Sequence, residues 1–229
     1  MKTKATLGLL LGLAVTALMD ETQGTWPSIA ILAHTHKDRL LTGEPLIVTA
    51  TITNIGSGAA EVFTTGHFGR VFVRRVGEPF RQYLEPILDF ADPSVVLQPG
   101  GTVEDRFVVL SQARFENEEL RYDYTLGEPG TYYIEVRYED SYGLKVRSDP
   151  LPITVVAPTG EDERVWQKIR ALEDYRLLME TAGAMNMTES SLAEFEKIVA
   201  DHPKSVYMSS IRPAVEKARY WNRRPTPVL

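Results

Sequence analysis

"EPGTYYIEVRYED", residues 128–140, alternates without interruption between two sets of side chains. Tyr132, Ile134, Val136 and Tyr138 fall on one side of an extended chain. Tyr133, Glu135, Arg137 and Glu139 fall on the other. A period of two is what a strand with one buried face requires. The Pro129-Gly130 pair in front of it supplies the turn that starts it. The stretch therefore predicts a strand with the first set inward and the second outward.

The same grammar extends on both sides. "PLIVTATITN" (45–54) sets Leu46, Val48, Ala50 and Ile52 against Ile47, Thr49, Thr51 and Thr53, and "NIGSG" then breaks it. "RVFVRRV" (70–76), "FRQYL" (80–84) and "DPLPITVV" (149–156) read as further strands, the last alternating Leu151, Ile153 and Val155. In "LQPGGTVEDRFVVL" (97–110), Val103, Phe107 and Val109 share a side that Asp105 interrupts, which argues against burial of Asp105. Seven to nine short strands with turns between them predict an antiparallel β-sandwich.

Within this frame Gly130-x-Tyr132-x-Ile134 resembles the tyrosine-corner segment of immunoglobulin-like domains, with Ile134 at the core position two residues after the tyrosine. Across residues 40–156 the layout "GE-x", "N-x-G", "L-x-PG", "PG-x-Y" resembles exported bacterial immunoglobulin-like modules. More loosely, it is similar to the bacterial intracellular proteinase-inhibitor family. The resemblance implies a mainly β, immunoglobulin-like antiparallel β-sandwich in which the corner tyrosine stabilises the fold. Its inhibitor branch implies protease contacts through loops at 64–70 or 111–119.

At "VVAPTGEDER" (155–164) the pattern turns helical. Val165, Ile169, Leu172 and Met179, widened by Trp166 and Leu178, predict one helix along 164–183 that ends at Gly183. Ser191-x-x-Glu194 matches a capping box before a second helix faced by Leu192, Phe195, Ile198 and Val199. A third carries Ile211, Val215 and Ala218, with Pro213 expected to kink it or delay its start. Between them Asp201-His202-Pro203 reads as a hinge, with Ser205 expected to cap the next helix. "F-x-x-I … HP-x-S-x-Y" resembles one tetratricopeptide-like repeat, too few for an array. The expected organisation is a signal peptide at 1–24, the sandwich at 25–157, a helical unit at 158–222 and a tail at 223–229.

Two lysines precede an uncharged apolar run from Ala5 to Met19, the order of a secretory signal. The run is shorter than the roughly 20 residues a spanning helix needs. Cleavage after Ala17 or Gly24 leaves no integral membrane segment, so the expected location is secreted or periplasmic. A net charge of -6 disfavours nucleic acid as a partner. The absence of cysteine removes disulfides, thiol nucleophiles and cysteine-based zinc sites.

Motifs for chemistry are missing. There is no G-x-S-x-G, no H-E-x-x-H and no phosphate-cradling glycine loop. His34-x-His36 would put two imidazoles on one side of a strand, but no third ligand is near. Asp89 and Asp92 lack the spaced oxygens of a calcium loop. No metal, cofactor or catalytic residue is assigned. The expectation is a binding protein with a protein partner, and Tyr133, Tyr142 and His67 are the candidate contacts, near an arginine set of Arg121, Arg137 and Arg147. A protease inhibitor, and a carbohydrate-binding or hydrolytic protein with an unrecognised site, are the alternatives.

Overall fold

The alternation at 128–140 folds as one long strand, the centre of the larger sheet. The computed structural model describes residues 29–63, 69–83, 94–116, 119–139 and 145–223. The expected signal peptide, the tail beyond Arg223, His67, Asp89, Asp92 and Tyr142 lie outside them. In chain order the strands are β1 (Ile29–Thr35), β2 (Arg39–Leu41), β3 (Leu46–Asn54), β4 (Ala60–Phe63), β5 (Gly69–Arg75), β6 (Arg81–Gln82) and β7 (Ser94–Leu97). Then come β8 (Thr102–Val109), β9 (Ser111–Glu116), β10 (Glu119–Tyr124), β11 (Gly130–Glu139), β12 (Lys145–Arg147) and β13 (Leu151–Val156). The helices are α1 (Gly160–Ile169), α2 (Asp174–Glu180), α3 (Glu189–Asp201) and α4 (Met208–Asn222).

The chain is mostly β. One antiparallel sheet runs β1-β3-β8, and a larger one runs β2-β13-β11-β5-β6, with β12 also on β11. Among the described residues every pairing in these two sheets is antiparallel except β13 with β2. Val48, Ala50 and Phe107 from the first sheet share one buried cluster with Val71, Val73, Ile134, Val136, Ile153 and Val155 from the second. The inward set of β11 is buried as its period requires, Ile134 completely. Two small pairs, β4 with β7 and β9 with β10, flank the sheets. The second of these corrects the expected loop at 111–119, because Ser111–Glu116 pairs in register with Glu119–Tyr124.

Each motif of the 40–156 layout fastens a turn. Asn54 is fully buried, and its Nδ2 donates to the carbonyls of Gly58 (2.7 Å) and Leu97 (2.9 Å), while its Oδ1 accepts from Gly56 N (2.9 Å). Its backbone is tied to Gly100 and Gly101, so the "N-x-G" and "L-x-PG" words are one interaction. The carboxylate of Glu44 accepts from Lys37 and from Leu41 N, closing the β2–β3 turn. Tyr132 Oη donates to the Glu128 carbonyl at 2.8 Å, the bond a tyrosine corner makes.

Asp105 is a correction, since only 5 % of it is exposed. Its place in β8 opposite Ala50 turns it inward whatever its polarity, and its carboxylate accepts from Arg106 N at 2.8 Å. The helix expected along 164–183 is also corrected. It breaks after Ile169 into α1 and α2 through i→i+3 bonds at Ala171 and Leu172. The break redirects α2 so that Tyr175, Leu178 and Met179 are buried.

Gly183 does finish α2. Ala182 N bonds Met179 O and Gly183 N bonds Leu178 O, the double bond of a Schellman ending. Any Cβ on Gly183 would sit 2.0 Å from the Ala214 carbonyl, so glycine is what lets α4 approach.

The caps also differ from expectation. α3 is capped by Thr188, whose Oγ1 accepts from Ser191 N at 3.2 Å, three residues before the expected box. Ser191 instead donates to Asp174. At α4, Ser205 donates to Asp162 (2.7 Å), which itself accepts from Val206 N (2.9 Å), so the carboxylate of α1 does the work expected of Ser205. Pro213 lies inside α4 without ending it.

The helices form a second buried cluster that includes Leu110 from the strand region and is covered by Leu41 and Tyr124. Trp166 is its hub. It stacks on Tyr207 (6.0 Å, 13°) and meets Tyr124 edge-on (5.0 Å, 72°). Tyr175 and Tyr207 reach into the β2–β3 turn, donating to the carbonyls of Gly43 (2.8 Å) and Thr42 (2.6 Å). The helical segment is thus packed against the strands through buried, hydrogen-bonded aromatics.

Candidate binding surface on the outer face of β5 and β11

The side of β11 that turns away from the core meets its counterparts on β5 by register. Tyr133 lies opposite Arg74, Glu135 opposite Phe72 and Arg137 opposite Arg70. Directly opposed residues of an antiparallel pair share a face with their Cβ atoms about 5 Å apart. Valines alternate with this set along β5, and their burial fixes which way Phe72 and Arg74 turn.

The result is an interleaved stack of guanidinium groups and rings. Arg74 lies between Phe80 and Tyr133, 4.6 Å and 4.8 Å from their ring centroids. Arg137 lies 3.8 Å over Phe72 and 5.5 Å from Phe80, and its Nε is paired with Glu135. Cations over ring faces at these separations are attracted by the ring quadrupole. Glu135, expected outward, keeps that orientation but is only 2 % exposed. The paired Arg137 roofs it over, which a period-two pattern cannot anticipate. Arg74 Nε is buried and has no hydrogen-bond partner among the described residues.

Of the predicted contacts, Tyr133 belongs to this stack, whereas Tyr142 and His67 lie outside the described residues. Arg137 and Arg147 are neighbours across β11 and β12. The rest of the tyrosine set is dispersed. Tyr122 is on β10 beneath Arg176 (3.5 Å), and Tyr132 and Tyr138 are core. Phe72, Phe80 and Arg74 were missed because their proximity to Tyr133 depends on strand register.

Other polar groups have structural surroundings. His34 is exposed on β1 and His36 lies just past its end. Among the described residues no three metal-ligating side chains come together. His36 borders a shallow hollow with Thr49, Glu104 and Arg106 on the outer face of β3 and β8. His202 closes α3, its Nε2 2.9 Å from Lys168 Nζ and its Nδ1 3.4 Å from Glu161. Lysine only donates, so Nε2 accepts and Nδ1 carries the ring proton. Glu180, with a side chain 4 % exposed, accepts from Ser111 and from Arg176 (2.8 Å). Burial raises its pKa above the ordinary carboxylate value. It joins α2 to β9, and Ser111 serves it as a donor. Burial likewise pushes Tyr124 up to about 12 and Tyr207 higher, so both remain neutral.

Among the described residues no helix is long and apolar enough to cross a membrane. No family model matches the chain, and no curated protein matches it. Solved structures give distant likenesses. A β-glucosidase from Listeria innocua in complex with gluconolactone is 20% identical, covering 59% of this chain and 17% of its own, at a TM-score of 0.38. A β-glucosidase from Erythrobacter marinus is 18% identical, covering 57% and 16%, at 0.33. A CARDB domain from Pyrococcus furiosus in complex with di-metal ions is 13% identical, covering 60% of this chain and 100% of its own, at 0.30. The matched part of this chain thus corresponds to about a sixth of each glucosidase. At these TM-scores the likeness assigns neither an activity nor a ligand to this chain.

Proposed function

We propose that this chain is an exported, non-catalytic binding module, an immunoglobulin-like sandwich with a docked helical unit, that engages a protein partner across the outer face of β5 and β11. The stack of Arg74, Arg137, Phe72, Phe80 and Tyr133 carries this reading, because arginine and aromatic side chains held rigid on a sheet are what interface centres are built from. The sandwich is supported by the buried cluster common to both sheets, by the parallel pairing of β2 with β13 and by the Tyr132–Glu128 corner. Export is supported by the basic and then apolar amino terminus. Three of the described groups with shifted pKa values, Glu180, Tyr175 and Tyr207, are held by hydrogen bonds that join elements of the fold, which supports a structural role for them over catalysis.

Affinity capture tests this. The full chain and a Tyr133→Ala, Arg74→Gln variant are compared as baits on extracts of the source cells, with captured proteins quantified. Specific partners should be depleted at least about tenfold on the variant, the loss expected when two central contacts go. The same captured set on both baits would overturn the assignment of this face.

A further inference from the structure

The arginines of this face line up across strands. β5, β11 and β12 are adjacent, and their register sets Arg70 opposite Arg137 and Arg137 opposite Arg147. Like charges directly opposed across a sheet destabilise it. Among the described residues the carboxylate of Glu135 sits under this row, and Arg137 already holds it. In the next row Glu139 is paired with Lys145 at 3.0 Å. Arg147 is exposed and has no ion pair among the described residues. On this face of a protein of net charge -6, Arg74 and Arg147 have no ion pair among the described residues, while Arg137 shares its charge with Glu135.

We infer that this face binds a carboxylate-rich segment of the partner, an extended stretch bearing Asp or Glu side chains, with the Arg137–Arg147 row and Arg74 as its anion receptors. The inference rests on the binding reading above and gives it a chemistry. Guanidinium forks match carboxylates with paired N–H donors, and stacking on a ring fixes the fork while leaving its edge free to donate. Guanidinium groups already cover a face of Phe72, Phe80 and Tyr133, which leaves less ring face for the stacking a sugar would use. A long polyanion would also meet the acidic remainder of the surface. A short acidic segment would not, because the field of the row is screened within about 8–10 Å at physiological salt.

Calorimetric titration of the full chain decides it, using a glutamate-rich decapeptide, the same peptide with glutamine for glutamate, and an oligouronate of equal charge. The glutamate peptide should bind, the glutamine peptide should not, and the oligouronate should bind more weakly than the peptide. Arg147→Glu, an exposed substitution without a partner to orphan, should weaken binding at least about tenfold, as loss and reversal of a charged contact does. Arg74→Gln should also weaken it, and Lys217→Glu on the exposed face of α4 should leave it within about twofold, as expected for a charge outside the contact. No binding of the glutamate peptide, binding indifferent to both arginine variants, or tighter binding of the oligouronate would each overturn the inference. If acidic peptides fail while a partner is still captured through Tyr133 and Arg74, the chemistry proposed here falls and the binding face stands.

Discussion

Asn54 illustrates how much a single side chain can organise. Replacing it with alanine leaves the buried carbonyl of Leu97 and the carbonyl of Gly58 without this donor, and the expected loss is about 1–3 kcal/mol in denaturant unfolding. An unchanged midpoint would show that the two turns hold without it. Tyr132→Phe removes one bond to the Glu128 carbonyl and should cost about 1 kcal/mol in the same assay. Gly43 has a φ of 77°, and a Cβ there would lie 2.1 Å from the Trp166 ring. Gly43→Ala should therefore displace the indole, seen as a shift in tryptophan emission and a lower melting temperature. The sequence marks Asn54 as a breaker and Gly43 as part of a motif. It does not show that Asn54 reaches Leu97 or that Gly43 makes room for Trp166, since both contacts join residues far apart in the chain.

Between elements, the contact of the helices with the strands gives a titratable test. Burial raises the Glu180 pKa from its ordinary 4.5, so the folded chain holds this proton more tightly than the unfolded one. Its contribution to stability is fully present below the unfolded value and is lost as pH rises through the higher folded value. Glu180→Gln should remove that dependence. Unfolding free energies of the two proteins should diverge in favour of the variant as pH climbs from 4.5 through that window, and parallel curves would contradict the burial argument. His202→Ala should leave partner capture intact, because the ring serves only the α1–α3 junction. β3, β11 and β13 were legible from alternation because their inward faces are apolar without a break. The break at Arg170–Glu173 was not, because Leu172 fits a single helical stripe as well as the observed turn, and the contact of Tyr175 with Gly43 lies far away in the chain.

For the molecule as a whole, two sheets that share a buried cluster and four helices packed on the strands leave, among the described residues, an outer face on β5 and β11 where rings and arginines converge. Half of that face was readable: β11 names Tyr133, Glu135 and Arg137 in its own alternation. The other half comes from β5 and the β5–β6 turn, and pairing β5 rather than another strand with β11 is a non-local choice that no window of sequence contains. The most direct measurement of the central claim is site-specific photocrosslinking in the source cells. A benzophenone side chain replaces Thr131, exposed on β11 beside Tyr133 but outside the stack, in one full-length protein and Thr51, on the outer face of the other sheet, in a second. A discrete crosslinked polypeptide is expected from position 131 and none from position 51. Crosslinks from 51 alone, or none from 131 while the protein is folded and present, would contradict the assignment of this face.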